Sequence, residues 1–374
     1  LKKELKIFII LQCLYLIIII FSGVKLILPS VAEESFEQYF KIVIYETFNV
    51  IFFAVLILYL SQVKSSDRKL VLNCYVIGVI CSCIYTILYL LLYVKMGINI
   101  GYIWDTISYG ELIDDKIDMK PTWAVMGVPR GIGFAGVNAA ATHVVTALPL
   151  LTISALVNKS VKNISFLTIA IMGLLATISR TGVLSFGVAF LVLIVLERRR
   201  LRSFIGFMFL GLISIVYLAY MNQEFFSEIF ESRIHIDYSR LKIFRAAIEL
   251  FYQNPILGIG ANNFSVARFS LPSTFYHDAN VHNSWLSILV ELGIVGLLAK
   301  TIFFAYIILT MQKRKNFLAS SFKAALIGLF VGAMYNQVFE LFYFNFFIAI
   351  FFISIVLDNS DPYKFIRSVP AIPR

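Results

Sequence analysis

Between Asn222 and His282 the chain carries a 61-residue polar segment flanked by apolar runs, and most of the residues suited to chemistry lie in it. Arg240 and Arg245 are guanidinium forks that match phosphate oxygens. His282 is a group able to move a proton near neutral pH. Between them runs Asn254-Pro255-Ile256-Leu257-Gly258-Ile259-Gly260-Ala261-Asn262-Asn263-Phe264. Its Gly-x-Gly permits a turn whose backbone amides converge, a geometry that cradles anions. The third glycine and the strand–helix context of a dinucleotide fold are missing, so that motif is not supported. Cations for a diphosphate and an imidazole beside apolar walls suggest transfer of a group carried on a lipid diphosphate.

The walls follow from composition. The chain has 374 residues, 60% hydrophobic and only 14% charged, whereas a soluble domain has about a quarter charged. Apolar runs near 20 residues recur throughout, which predicts an all-α polytopic transmembrane bundle rather than a β-barrel. Spans are expected at about 7–29, 42–61, 70–94, 132–157, 164–178, 182–196, 203–221, 285–311, 320–338 and 341–357. The ten spans form one integral-membrane domain over 1–374. The first is read as a retained signal anchor, because no small-residue cleavage site follows it. The net charge of +10 invites a nucleic-acid reading, but one side of the bundle holds 19 of the 32 Lys and Arg and only 5 of the 22 acids. That asymmetry is positive-inside bias. It assigns both termini to the cytoplasm, makes loops 95–131 and 222–282 external, and argues against a nucleic-acid partner.

Within the segment, Leu241, Phe244, Ile248 and Phe251 recur at helical spacing and predict a helix over 239–252 that ends at Asn254-Pro255. Lys242 and Arg245 share a face, and Arg240 lies about 140° from Arg245 around the axis. The two arginines are therefore not aimed at one phosphate oxygen. A basic amphipathic helix touching anionic headgroups is the bland alternative. His282 precedes Asn283 and Ser284, either of which can cap the next span. The helix dipole there disfavours imidazolium, as a general base requires. Equally, His282 could be an interfacial residue packed with Trp285.

Three features lie outside the segment. Arg180, in Ile178-Ser179-Arg180-Thr181-Gly182, sits between two short apolar runs and predicts a tight external hairpin with a charge dipping toward the membrane, either functional or snorkelling. Arg130 precedes a Gly-rich mouth and Asn138, as a phosphate site or an interface anchor. His143 reads as hydrogen-bonded packing inside the fourth span. Glu46, Lys300 and Glu340 lie near or within spans and have no partner assignable from sequence. The acidic clusters Asp114-Asp115-Lys116-Ile117-Asp118 and Glu33-Glu34-Ser35-Phe36-Glu37 read as solvated loop. Cys13, Cys74, Cys81 and Cys83 read as small core hydrophobes, and no metal signature is present.

The order Arg130…Asn138, Ser179-Arg180, Asn254-Pro255-x-x-Gly-x-Gly-x-x-Asn-Phe264, His282-Asn283 and Glu291-Leu292-Gly293-Ile294-Val295-Gly296 resembles the O-antigen ligase and polymerase superfamily, over about 130–340. It is the order, not any single motif, that carries the resemblance. The resemblance implies a bacterial inner-membrane glycosyltransferase of C-type architecture, inverting and metal-independent, with no cofactor and with its active site facing the periplasm. Its donor would be a glycan on undecaprenyl diphosphate. It implies diphosphate binding by Arg180 and by Arg240 or Arg245, and a base at His282. Asn283 and Arg130 are counted as further substrate contacts, so the active-site region joins 222–282 to Arg180 and Arg130. The expected activity is polymerisation of lipid-linked repeat units into surface polysaccharide. The alternatives are a ligase acting on lipid A–core or a protein, and a flippase or transporter of the same lipid. A chain-length regulator and a flippase are the expected protein partners.

Overall fold

The computed structural model describes residues 2–23, 33–96, 137–198, 240–271, 281–314, 316–339 and 342–357. Among these the chain is helical, with no strand. The elements are α1 (Lys3–Ser22), α2 (Glu33–Gln62), α3 (Ser65–Met96), α4 (Val137–Val157), α5 (Val161–Ala176), α6 (Arg180–Leu196), α7 (240–253), α8 (Ser284–Gln312), α9 (Phe317–Gly332) and α10 (Phe342–Leu357). Five helices among the described residues have the length and apolarity to cross a membrane: Lys3–Ser22, Tyr39–Gln62, Ser65–Leu92, Asn138–Val157 and Ser284–Gln312. Four further apolar helices are shorter, at Val161–Ala176, Arg180–Leu196, Phe317–Gly332 and Phe344–Leu357. The expected span 203–221 lies outside the described residues, as do 24–29 and 132–136 of two others; the helix in the expected span 320–338 stops at Gly332, and 333–338 is not helical.

Contacts divide the chain into two units. The first comprises Leu1–Leu72, His235–Ala319 and Ala333–Phe365. Here α1 packs against α8 and α2, and α10 packs against α2. Phe8 of α1 stacks on Phe352 of α10 at 4.9 Å between ring centroids and meets Phe303 of α8 at 5.3 Å. Helices apolar all round gain no hydrophobic drive from lipid-facing surface, so such interlocking rings supply close packing instead.

The second unit comprises Asn73–Ile234, Ser320–Gly332 and Ile366–Arg374. In it α4 packs on both α5 and α6. Ser160 caps α5 by accepting the amide of Asn163, and Ser179 caps α6 by accepting that of Gly182. These caps satisfy amides that the first helical turn leaves unpaired.

Two expectations are corrected. Glu33–Glu37 is the first turn of α2, not loop, and Glu37 pairs with Lys41 one turn on at 2.6 Å. The Lys41 ammonium holds the Glu37 carboxyl below its usual range. Only Cys83 among the cysteines is a core residue, packed where the α-carbon of Gly173 approaches. Cys74 and Cys81 point outward from α3, because helical spacing turns them away from the face that Cys83 shares. Asp114–Asp118 and Glu340 lie outside the described residues.

Candidate active site

In the first unit, α7 runs over 240–253 and stops at Asn254-Pro255 as expected. Its buried face differs from the expected one. Ile243, Ala246, Ala247 and Leu250 enter the core with Ile259 and Phe264. Phe244 and Phe251 only flank that core, and Leu241 and Ile248 are exposed. Small alanines let α7 approach closely, a preference that a search for large apolar side chains overlooks. Arg240 is half-buried, and Arg245 and Lys242 are exposed, in keeping with their separation around the helix.

The loop after α7 is built into a break in α8. Gly293 has φ 66° and ψ −167° inside that helix. In an unbroken helix the carbonyls of Val290 and Glu291 would accept the amides of Ile294 and Val295. Instead Val290 accepts from Ile259 and Glu291 from Gly260, each at 3.0 Å. The displaced amides donate back to the loop, Ile294 to Pro255 at 2.9 Å and Val295 to Ile256 at 3.3 Å. These four backbone groups, freed by the break, are thus paired again, as a buried break requires. Two glycines permit the approach. A Cβ on Gly293 would lie 2.1 Å from the Ile256 oxygen, and one on Gly258 would lie 2.3 Å from the Glu291 carbonyl.

The Glu291 side chain completes the joint. Its carboxylate accepts the amide of Asn262 at 3.0 Å and that of Phe264 at 3.4 Å. Ala261 donates to the Ser22 hydroxyl of α1 at 3.2 Å. The amides of Ile259 and Gly260 in the Gly-x-Gly are thus taken by backbone carbonyls of α8, and those of Asn262 and Phe264 just after it by the Glu291 carboxylate. Sequence reading had placed Glu291 only within a motif. Its signal was an acid in an otherwise apolar span nine residues before Lys300.

At the head of α8, Asn283 accepts the amide of Leu286 at 3.0 Å and is the cap. Ser284 is fully buried and donates its amide to the Ala333 carbonyl at 2.8 Å and its hydroxyl to that of Asn336 at 3.0 Å. That hydroxyl in turn accepts the amide of Val338 at 2.7 Å. His282 stands between this anchored serine and buried Val281, half-buried and in the left-handed region at φ 52°. A non-glycine residue held there is uncommon, and such strain gathers at functional positions. Trp285 meets Phe339 edge-to-face at 4.7 Å between centroids. Arg268, which sequence reading passed over, is buried just after the loop, its guanidinium 4.6 Å from the Phe269 ring centroid.

In the second unit, Arg180 opens α6 and is exposed. The hairpin before it is as tight as expected, with Ile178 in the left-handed region at φ 49°. Ser179 donates its hydroxyl to the Asn138 side-chain oxygen at 3.1 Å, so the half-buried asparagine steadies the turn that carries Arg180. His143 lies edge-on to Tyr75, centroids 5.8 Å apart. That agrees with a packing role. Arg130 lies outside the described residues, and of the expected external loop 95–131 only 95–96 are described, as the end of α3.

Residues 165–300 match the family model described as O-antigen ligase. No curated protein matches the chain. The matched stretch runs from α5 through the loop and the broken helix to Lys300, and takes in Arg180, Arg240, Arg245, His282 and Asn283. Over that stretch the chain is similar to the O-antigen ligase family.

Proposed function

We propose that the protein is an inverting, metal-independent glycosyltransferase that polymerises undecaprenyl-diphosphate-linked repeat units on the external face of the bacterial inner membrane. The observation that carries this reading is the family match over 165–300, which contains both the cations and the base the reaction needs.

An acceptor hydroxyl gives its proton to His282 and attacks the anomeric carbon from the face opposite the diphosphate. A new carbon–oxygen bond forms as the bond to phosphate oxygen breaks, and the lipid diphosphate leaves with the electron pair. By the resemblance, Arg180 and either Arg240 or Arg245 hold the diphosphate and its growing charge, the part a metal would otherwise take. Arg180 at the start of α6 sets a cation against the positive helix end, an arrangement that an arriving anion relieves. The Asn283 oxygen is occupied as a cap, so its amide nitrogen is the atom to meet substrate. Arg130 is kept as a further donor contact. One base serves inversion, and no carboxylate pair is required.

The family description favours a second reading, a ligase that moves finished glycan to lipid A–core. Reconstitution separates them. Purified protein in nanodiscs receives lipid-diphosphate-linked repeat units as sole substrate, with EDTA present, beside His282→Ala. A product ladder from wild type alone supports the polymerase. Transfer only after lipid A–core is added supports the ligase. Absence of transfer in both overturns the enzymatic reading and favours a flippase, which needs no base at His282. Chain-length regulator and flippase partners are then tested by co-purification.

A further inference from the structure

The side of α7 that faces away from the core is not that of a solvated helix. With about 100° of turn per residue, Leu241, Arg245, Ile248 and Tyr252 fall within about 60° of arc, on the opposite side from Ile243, Ala246, Ala247 and Leu250. All four are exposed, Tyr252 at 75%. Single exposed apolar residues are ordinary, whereas a contiguous stripe marks an interaction surface. Lys242 and Glu249 flank the stripe on one side, and half-buried Arg240 lies on the other.

The stripe runs on into the wall of a membrane span. Just past α7, Ile256 is 66% exposed. Its carbonyl accepts the amide of Val295 on α8 at 3.3 Å, beside the bond from Ile294 to Pro255. Ile294 opens a second exposed apolar row, continued on α8 by Leu298, Ile302 and Leu309, all within about 80° of arc. On a helix long and apolar enough to cross a membrane, such a row faces lipid. From Ile294 to Gln312 α8 extends for about 28 Å, close to the ~30 Å of a bilayer's hydrocarbon core. The break at Gly293 therefore stands at one edge of that core. Pro255 and Ile256 tie the end of α7 to the break, which sets α7 at headgroup level.

We propose that the outer face of α7 docks on the phospholipid of the adjoining leaflet. Leu241, Ile248 and Tyr252 enter the acyl boundary. Arg245, set among them, lays its stem along the chains and pairs its guanidinium with anionic phosphate. Phospholipid fits this face better than a second protein does, because the stripe is continuous with the lipid-facing row of α8 and carries its cation at headgroup depth. Docking holds α7 and its joint with α8 at the level where the diphosphate of a lipid donor lies. That consequence rests on the transferase reading above, whereas the docking itself does not.

The test places photoreactive p-benzoylphenylalanine at Tyr252 in the full chain, reconstituted in vesicles of phosphatidylglycerol and phosphatidylcholine in equal amounts. Irradiation tags whatever covers the position, and mass spectrometry identifies the adduct. Phospholipid adducts are expected, with the anionic lipid about fivefold over its zwitterionic neighbour. Arg245→Gln in the same chain removes most of that excess. The same residue placed at Ile248 gives a second position on the stripe and must return the same adducts. Adducts to a second copy or to another segment of the chain overturn the proposal, and so does a position that meets only water and gives none. Equal tagging of the two lipids overturns it too, because nothing then draws anionic headgroups to Arg245. Undecaprenyl diphosphate added to the vesicles is expected to leave the phospholipid adducts in place. If it takes over the tag, the stripe is a donor groove and the proposal falls. Wild-type protein that makes no product from repeat units sinks the transferase reading and leaves the adducts standing.

Discussion

Ile294 donates its amide to the carbonyl of Pro255 at 2.9 Å, a bond that an unbroken helix would have given to Val290. The proline that ends α7 and the glycine that breaks α8 are thus two halves of one joint. The loop between the arginine-bearing α7 and α8, whose start follows His282, is held by backbone exchange rather than by side-chain packing alone.

This joint makes Gly293 and Gly258 intolerant of any side chain. Gly293→Ala adds a Cβ at 2.1 Å from the Ile256 oxygen and a strained φ besides, the latter alone costing about 1–2 kcal/mol. A fall in melting temperature and loss of turnover are expected. Gly78→Ala and Gly187→Ala meet nothing within 4 Å and should leave both unchanged. Thermal unfolding in detergent checks the contrast.

Glu291→Gln is predicted to damage the loop despite its equal size. The carboxylate receives one amide on each oxygen, and the amide side chain must turn an NH₂ toward one of them. That NH₂ then opposes a backbone donor and loses one of the two bonds. Turnover should fall while the helical circular dichroism of the bundle persists. Full turnover in this variant would rule out Glu291 as the loop's anchor.

For His282, asparagine is a sharper substitution than alanine. Asparagine tolerates the left-handed region, so the backbone at φ 52° is kept and only the base is lost. His282→Asn is expected to lower kcat about 10²–10⁴-fold with donor binding intact. Rapid turnover by this variant would remove His282 from the chemistry.

Arg180→Lys keeps the charge and loses the fork. Donor KM should rise about tenfold, equivalent to ~1.4 kcal/mol, and Arg180→Ala should raise it further. Donor titrations of the two variants give the answer. Equal KM values for wild type and both variants would leave Arg180 a snorkelling residue.

Much of this protein is legible from residue order alone. Apolar runs of span length can satisfy their backbone only as helices, so the helical class and the helix positions follow from hydropathy. The stop of α7 at Asn254-Pro255 and the capped start of α8 at Asn283 follow from local backbone rules. The hairpin before Arg180 follows from two short apolar runs meeting at polar residues. Other features depend on contacts between segments far apart in sequence. The buried face of α7 was decided by how closely its alanines let it approach the core, not by its largest side chains. The partner of the amides that follow the Gly-x-Gly was decided by the fold, which brought Glu291, 27 residues beyond Phe264, to Asn262 and Phe264. Glu46 and Lys300 carry no sequence signal of proximity, because they lie 254 positions apart and only packing brings them to one cavity.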